Sequence, residues 1–411
     1  MITDPSTTTA TTTKQSFQAV RPPVVHFGKA RFNFPPAQSA VRHHAIHARN
    51  LRQITIGTGP VGVRTLAGVR VVCLPWLRPP LLGGLLFYTV GPVLALALAL
   101  ARRGSAITCQ SPYEAFGVIA LSRALPRRVR PPVRIEIHAD WRTASRLYGS
   151  RSRIALAPLT DRICKWTLPR ATLVRTIGDA TTSWVREASY QGPIETYLEF
   201  SDYGVFAEAP IVAPPERARV LFVGVLERYK GVDVLLRAWP TVVSAIPDAE
   251  LTIVGKGTRS RELRRLAAST GLERSLRFIE PVHQEELCSL FDQASCLVLP
   301  SRSEGLGRVI LESMARARPV VGSSVGGIPE LIKDGCTGRL VAPDDPAALA
   351  DALISVLGDP SSAEKMGHEA RQSFVRLDPA AEYEVGVRRF AEWVRSTARS
   401  RSGVVALNAP V

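Results

Sequence analysis

Leu299-Pro300-Ser301-Arg302-Ser303-Glu304-Gly305-Leu306-Gly307-Arg308, leading into 309–315, decides how this chain is read. The apolar run 296–299 predicts a strand, and the residues beyond the glycines predict a helix. A Ser-rich, Gly-containing loop therefore joins a strand end to a helix start. The first N–H groups of a helix lack intrahelical partners and its dipole favours negative charge there. Gly305, Leu306 and Gly307 thus make a candidate anion cradle. Glu304 and Glu312 stand eight residues apart. A mostly helical path between them implies a separation of roughly 12 Å, enough to bracket a diphosphate. Carboxylates suit vicinal hydroxyls, because each oxygen accepts a charge-assisted hydrogen bond. In the plainer reading, Glu304 only pairs with the helix dipole and Glu312 is a solvated helix residue.

The same pattern recurs on either side. An apolar run over 220–223 ends at Gly224, followed by Val225-Leu226-Glu227-Arg228-Tyr229-Lys230-Gly231. Glycine at a strand end admits a ligand to the backbone, and Lys230 six residues on reaches an anion there. A strand over 250–254 runs into Gly255-Lys256-Gly257, and one over 320–322 precedes Val325-Gly326-Gly327-Ile328-Pro329-Glu330. Further strands are predicted over 276–278 and 338–341. This is a doubly wound α/β sheet, whose ligands bind beyond the carboxyl ends of the strands.

The first half also reads as α/β, with strands over 24–28, 69–74, 106–109, 133–138 and 172–177. Pro193, Pro210, Pro214 and Pro215 interrupt 192–215, where the interdomain linker is expected. Two domains suit a 411-residue chain. The predicted organisation is a disordered tail over 1–20, a Rossmann-like domain over 21–205 and a second over 206–378. A helix over 379–397 crosses back to the first domain, and a tail covers 398–411.

Charge is uneven. Residues 1–210 hold 26 Lys+Arg against 11 Asp+Glu, so they carry +15 of the chain's net +16. Such a half suits nucleic acid, an anionic membrane face, or simple solubility. Its dispersed arginines, with no aromatic-interleaved RNA-binding motif, argue against nucleic acid. The segment 81–100 carries no charge and precedes Arg102-Arg103. Its length suffices for a membrane span, but Gly83, Gly84, Gly91 and Pro92 interrupt it between two strands of one expected sheet. A buried or interfacial helix is the expectation. The six cysteines show no metal-ligand spacing, so no metal site is expected and the compartment is read as reducing and cytoplasmic.

In combination, the Gly-x-Leu-x-x-x-Lys-Gly, Pro-Ser-x-x-Glu-Gly-x-Gly and Gly-Gly-Ile-Pro-Glu segments resemble the family 4 retaining glycosyltransferases of GT-B architecture. The likeness covers about 219–360. It implies two Rossmann-like domains facing a cleft, and a nucleoside-diphosphate-sugar as donor substrate rather than a cofactor. Lys230, with Gly224 and Arg228 beside it, would meet the diphosphate, Glu304 the transferring sugar and Glu312 the ribose. Gly305–Gly307 would offer backbone donors. Lys/Arg and a helix terminus, rather than a metal, would neutralise the leaving group. Two positions depart from the family: Val225 stands where an arginine is usual, and Ala317 where glycine is common.

The first domain resembles the family less. Val25-His26-Phe27-Gly28-Lys29 and Pro35-Pro36 look like its opening strand and loop, but Ala37-Gln38-Ser39-Ala40 replaces a glycine pair. Gln110-Ser111-Pro112-Tyr113-Glu114 and Ile137-His138-Ala139-Asp140-Trp141 resemble segments facing the cleft. His138 is the candidate near the reaction centre, followed by Asp140 and Arg175. The acceptor expected is a lipid-linked saccharide or other glycan, reached by peripheral contact at the inner face of the cytoplasmic membrane. A catalytically silent scaffold subunit, and an epimerase or phosphorylase on this fold, are the alternatives.

Overall fold

The computed structural model describes residues 21–77, 80–142, 151–271 and 273–401. Two sheets organise them. The first orders eight strands β3-β4-β2-β1-β5-β6-β7-β8. These are β1 (Pro23–Arg31), β2 (Arg52–Gly59), β3 (Gly62–Leu66), β4 (Val69–Pro75), β5 (Ala106–Cys109), β6 (Val133–Ile137), β7 (Leu173–Thr176) and β8 (Ile194–Thr196). All neighbours run parallel except β3 with β4. The second sheet is wholly parallel, ordered β11-β10-β9-β12-β13-β14. Its strands are β9 (Arg219–Val223), β10 (Glu250–Val254), β11 (Leu276–Ile279), β12 (Cys296–Leu299), β13 (Val320–Ser323) and β14 (Gly338–Val341). Both sheets reverse their winding once, between β1 and β5 and between β9 and β12. A crevice opens at each such point beyond the carboxyl ends of the strands.

Every strand expected from the sequence is present. The pattern reading passed over β2, β3 and β8. It also ran β6 through His138, which lies just past the strand. Around the second sheet, Val234, Leu235, Trp239, Phe291, Ile310, Leu353 and their neighbours form one continuous core. The first sheet is covered on both faces. One face packs Val25, Phe27, Ile107 and Ile135 against the helices Pro80–Ala101, Pro112–Ser122 and Arg151–Thr167. On the other, Val24, Ala106 and Leu173 meet Tyr383, Val387, Phe390 and Val394 of the C-terminal helix Pro379–Arg401.

That last helix crosses between the domains. The preceding helix, Pro360–Leu377, stays on the second domain, where Arg371 bonds the carbonyls of Ala315 and Ala207. Asp378, at φ 40°, turns the chain. The new helix then runs to Arg401, so the tail expected from 398 begins inside it. The tail expected over 1–20 lies outside the described residues.

The proline-rich segment 192–215 is held by two fully buried arginines of the second domain. Arg316 donates to the carbonyls of Phe206, Ala209 and Pro210 and pairs with Asp292. Arg318 donates to those of Val212, Ala213, Phe291 and Asp292. A segment without regular pairing leaves its carbonyls orphaned, and these guanidiniums satisfy them. Truncating Arg316 to Ala strands those carbonyls and the Asp292 carboxylate. It should lower unfolding stability by about 3 kcal/mol, read as a fall in denaturant midpoint; a midpoint unchanged from the parent would remove this role.

Candidate functional site

The Lys230 and Glu304 loops leave β9 and β12, the two strands flanking the crevice of the second sheet. They are pressed together at Gly231. With φ 65°, a Cβ on Gly231 would stand 1.8 Å from the Pro300 carbonyl oxygen, so only glycine fits. The loop after β13 closes in likewise, since a Cβ on Gly326 (φ 54°) would stand 1.8 Å from the Glu304 carbonyl oxygen. The three glycine-bearing loops read from sequence thus make one floor.

On that floor Lys230 Nζ donates to Glu304 Oε2 at 2.5 Å, with Ser301 Oγ at 3.4 Å from the same oxygen. Both side chains are mostly enclosed, at 12% and 13% exposure. Gly307, left-handed at φ 89°, turns the chain into the helix Arg308–Ala315, whose start has no side-chain cap. The backbone donors expected at Gly305, Leu306 and Gly307 therefore lie at a helix N-terminus. Only the part of the Glu304–Glu312 path from Arg308 onward is helical, so the premise of a mostly helical spacing does not hold. Glu312 is not a solvated residue either: burial pushes its carboxyl up to about 7, opposed by the neighbouring Arg308.

Arg302 ties the arrangement together, and sequence reading gave it no role. Its guanidinium makes a two-pronged pair with Asp233, both contacts 2.8 Å, and donates to the Arg228 carbonyl at 2.7 Å. Its own N–H donates to the Tyr229 carbonyl. Asp233, at the start of the helix Val232–Ala245, also receives Arg259 and Arg237. No short motif marks this pair, because its members lie 69 positions apart. Of the other cations near the floor, the Arg228 side chain is exposed, and Val225 stands exposed at the position of the family's arginine.

Facing this floor, the carbonyl of His138 lies where a Cβ on Gly305 would come within 2.1 Å, so the two domains touch here. His138 Nε2 meets Glu136 at 3.3 Å, and its Nδ1 lies 3.7 Å from Glu199. A second contact joins the domains at Glu330. Its carboxylate accepts from the N–H groups of Asp179 and Ala180, capping a helix of the first domain. Nothing in the Gly-Gly-Ile-Pro-Glu pattern itself marks Glu330 for this contact.

Beside His138 opens a cavity of about 480 Å³ under the helix Gln38–Asn50. It is lined by His26, Glu136, Arg175 and Tyr383 within, by residues between Ala30 and Ala40 above, and by Arg308 from the second domain. Glu136 is buried, yet Arg134 and Arg175 hold its carboxyl well below the usual range against that burial. Burial acts oppositely on the histidines: it lowers His26 to about 4 and His47 to about 3, and it also depresses His43 and His44. At neutral pH these imidazoles are uncharged hydrogen-bonding groups. Gln110 and Arg175 join the wall, as do Ala37, Ser39 and Ala40, at the helix start that replaces the glycine pair. Asp140 does not; it pairs with Arg142. Ser111 caps the helix Pro112–Ser122. Among the described residues no group of three or more His, Cys, Asp or Glu is placed to hold a metal ion.

Residues 207–373 match the family model described as glycosyl transferases group 1. The match falls on the second domain and covers about two fifths of the chain. D-inositol 3-phosphate glycosyltransferase of Streptomyces coelicolor is 38% identical over 173 residues, covering 40% of this chain and 38% of that protein. Glycogen synthase of Mycobacterium tuberculosis is 39% identical over 166 residues, covering 40% of this chain and 39% of that protein. The matched region thus spans about two fifths of the length of these curated relatives. Over nearly the whole chain the likeness is one of fold. Sucrose-phosphate synthase of Thermosynechococcus elongatus superposes with TM-score 0.72 at 20% identity, covering 92% of this chain and 100% of that one. Anabaena HepE, solved with UDP-glucose, gives TM-score 0.65 at 15% identity over 92% and 100%. Two Rossmann-like domains joined by a C-terminal crossover helix are the GT-B architecture.

Asp233 offers a direct check on the floor. Burial would raise its carboxyl, but Arg302 and Arg259 hold it far below its ordinary value. Its contribution to stability is therefore present above roughly pH 4 and fades as acid is added below that. Replacing Asp233 by Asn should reduce stability at pH 7 by about 2 kcal/mol or more and flatten the parent's loss between about pH 4 and pH 2. Parallel acid-denaturation curves for parent and variant would contradict the pairing.

Proposed function

We propose that this protein is a glycosyltransferase that moves a sugar, with retention of configuration, from a nucleoside-diphosphate-sugar to an acceptor. The observation that carries this is the Lys230–Glu304 pair at the uncapped start of the helix Arg308–Ala315. An ammonium beside unpaired backbone N–H groups suits a diphosphate, and the adjoining carboxylate suits sugar hydroxyls. In this reading the incoming diphosphate takes Lys230 from Glu304, freeing that carboxylate to accept from the transferring sugar. Glu312 accepts from the ribose. Charge growing on the departing nucleoside diphosphate is met by Lys230 and the helix terminus, groups already oriented before reaction. His138, across the contact at Gly305, flanks the donor sugar.

The acceptor belongs to the cavity under the helix Gln38–Asn50. Its neutral imidazoles, Tyr383 and the Glu136–Arg175 pair offer donors and acceptors suited to a polyhydroxylated group. The acceptor class proposed is a lipid-linked saccharide or polysaccharide precursor at the inner face of the cytoplasmic membrane, supported by the +15 charge of residues 1–210. D-inositol 3-phosphate glycosyltransferases among the relatives support glycosyl transfer, and neighbours solved with UDP support the donor class.

A panel of UDP-, GDP- and ADP-sugars with a membrane-lipid extract should give donor-dependent nucleotide release. Replacing Glu304 by Ala should lower kcat/KM by roughly tenfold to a hundredfold while the protein stays folded. Donor binding without transfer or hydrolysis would instead favour a silent scaffold, to which the loss of arginine at Val225 lends weight. The Glu312 carboxyl, at about 7 in the free site, adds a pH signature. A ribose-accepting carboxylate must be ionised, so donor KM should rise roughly tenfold from pH 8 to pH 6. Glu312→Gln should remove that slope, and an identical slope in the variant would take Glu312 out of the donor site.

A further inference from the structure

The outer side of the helix Pro80–Ala101 is unlike the surface of a water-facing helix. Leu82, Leu85, Thr89, Val93, Ala97 and Leu100 follow one another at helical spacing, and all are exposed. Leu85, Val93 and Leu82 stand 64%, 55% and 54% accessible. The stripe's one polar side chain is silenced, since the Thr89 hydroxyl donates to the Leu85 carbonyl at 2.8 Å. The opposite side is already spent on the core, with Phe87 stacked on Phe27 and with Ala95, Leu96 and Ala99 buried. A surface helix normally turns charged or polar residues outward; this one turns leucine and valine outward for roughly 30 Å.

Charge in the sequence about the stripe is basic, and Glu114, which meets Tyr88 of this helix, is buried. Residues 5–113 contain 12 Lys+Arg and no Asp or Glu. Arg102 and Arg103 follow directly on the helix. Beyond the end of the neighbouring helix Pro112–Ser122, Arg123, Arg127, Arg130 and Arg170 line a pocket with no acidic residue in its wall. An apolar strip with a cationic rim is complementary to a bilayer bearing anionic headgroups. The helix does not span one, because β4 before it and β5 after it belong to the same sheet. A second copy on this face would bring together two halves of charge +15.

We infer that this stripe is the protein's docking surface for an anionic lipid bilayer, with the helix lying in the plane of the headgroups. The direction of the helix then fixes the orientation of the cleft. Its first turns lie beside Lys29, near the carboxyl end of β1, where a Cβ on Gly84 would come 3.6 Å from Lys29 Nζ. Its far end is tied to the start of β2, where Arg102 donates to the Arg52 carbonyl. Apolar side chains thus run from the cleft edge of the sheet to the opposite edge. Docked on this stripe, the protein sets the cleft edge of the sheet beside the bilayer, with the cavity on the sheet's opposite face. Delivery of a lipid-linked acceptor at that edge rests on the proposed function; the docking itself does not.

Sedimentation of the full chain with vesicles tests the docking. The parent should bind phosphatidylcholine vesicles containing phosphatidylglycerol, with binding weakened by salt and weaker still to phosphatidylcholine alone. L85E/V93E should lose roughly tenfold or more in partitioning, with an unchanged near-UV circular dichroism spectrum reporting its fold. Arg103→Glu with Arg127→Glu should reduce the salt dependence. Vesicle binding equal in L85E/V93E and parent overturns the proposal. So does a parent dimer in light scattering that L85E/V93E makes monomeric while vesicle binding persists, since the stripe is then an interface between copies. Donor turnover is scored separately with no lipid present. A parent that docks but never turns over donor sinks the proposed function alone; one that turns over donor but never docks sinks this inference alone.

Discussion

Arg302 sits where the second domain's strand order reverses, and the candidate site depends on what it holds. A doubly wound sheet guarantees a crevice at its switch point, but not that the loops on either side share a surface. Here one guanidinium grips the carboxylate of Asp233 and the carbonyl of Arg228, both on the chain that follows β9, while its own backbone follows β12. Lys230 and Glu304 are carried on those two pieces of chain. Their pairing follows from a buried, geometrically specific ion pair that touches neither of them.

Closure between the domains uses cheaper parts. A carbonyl against a glycine at His138 and Gly305, and a carboxylate on a helix N-terminus at Glu330, are local contacts with little apolar area. The crossover helix is different: Tyr383, Val387, Phe390 and Val394 bury a continuous apolar face on the first domain while the helix before it stays with the second. Apolar area therefore holds the domains on one side of the molecule, and a few polar contacts close the other. Such contacts can be exchanged for contacts to a ligand at modest cost, whereas the crossover helix cannot leave without exposing its core.

The loops were legible because glycine spacing records a steric fact. Gly231 and Gly326 face carbonyls at distances no other residue tolerates, and Ala317, flagged where glycine is common, does adopt φ 53°. Fold class was legible for a similar reason: parallel strands buried on both faces must be short and apolar. The cavity was not legible. His26, Thr55, Arg134, Glu136 and Arg175 alternate with apolar neighbours along their strands, a pattern that ordinarily marks a water-facing side. Their water is excluded by a helix more than two hundred residues downstream, so burial, and with it the histidines' low basicity, is a tertiary property. Arg302 was missed on the same ground, since its partner is fixed only by the winding of the sheet.

Val225 shows what that packing can and cannot replace. Losing an arginine from the first loop removes a mobile, two-pronged cation, and the exposed Val225 side chain supplies no charge in its place. What remains on the floor is Lys230, the uncapped helix start beyond Gly307, and Lys256 on the adjoining turn, whose carbonyl accepts the Leu226 N–H. The helix start is worth about half a charge and cannot move with the leaving group. Lys230 is held by Glu304 until a ligand separates them. In the proposed reaction, neutralisation of a diphosphate is therefore coupled to release of the Glu304 carboxylate toward the sugar: one displacement frees both groups. An arginine at position 225 would relax that coupling by giving the diphosphate a partner independent of Glu304.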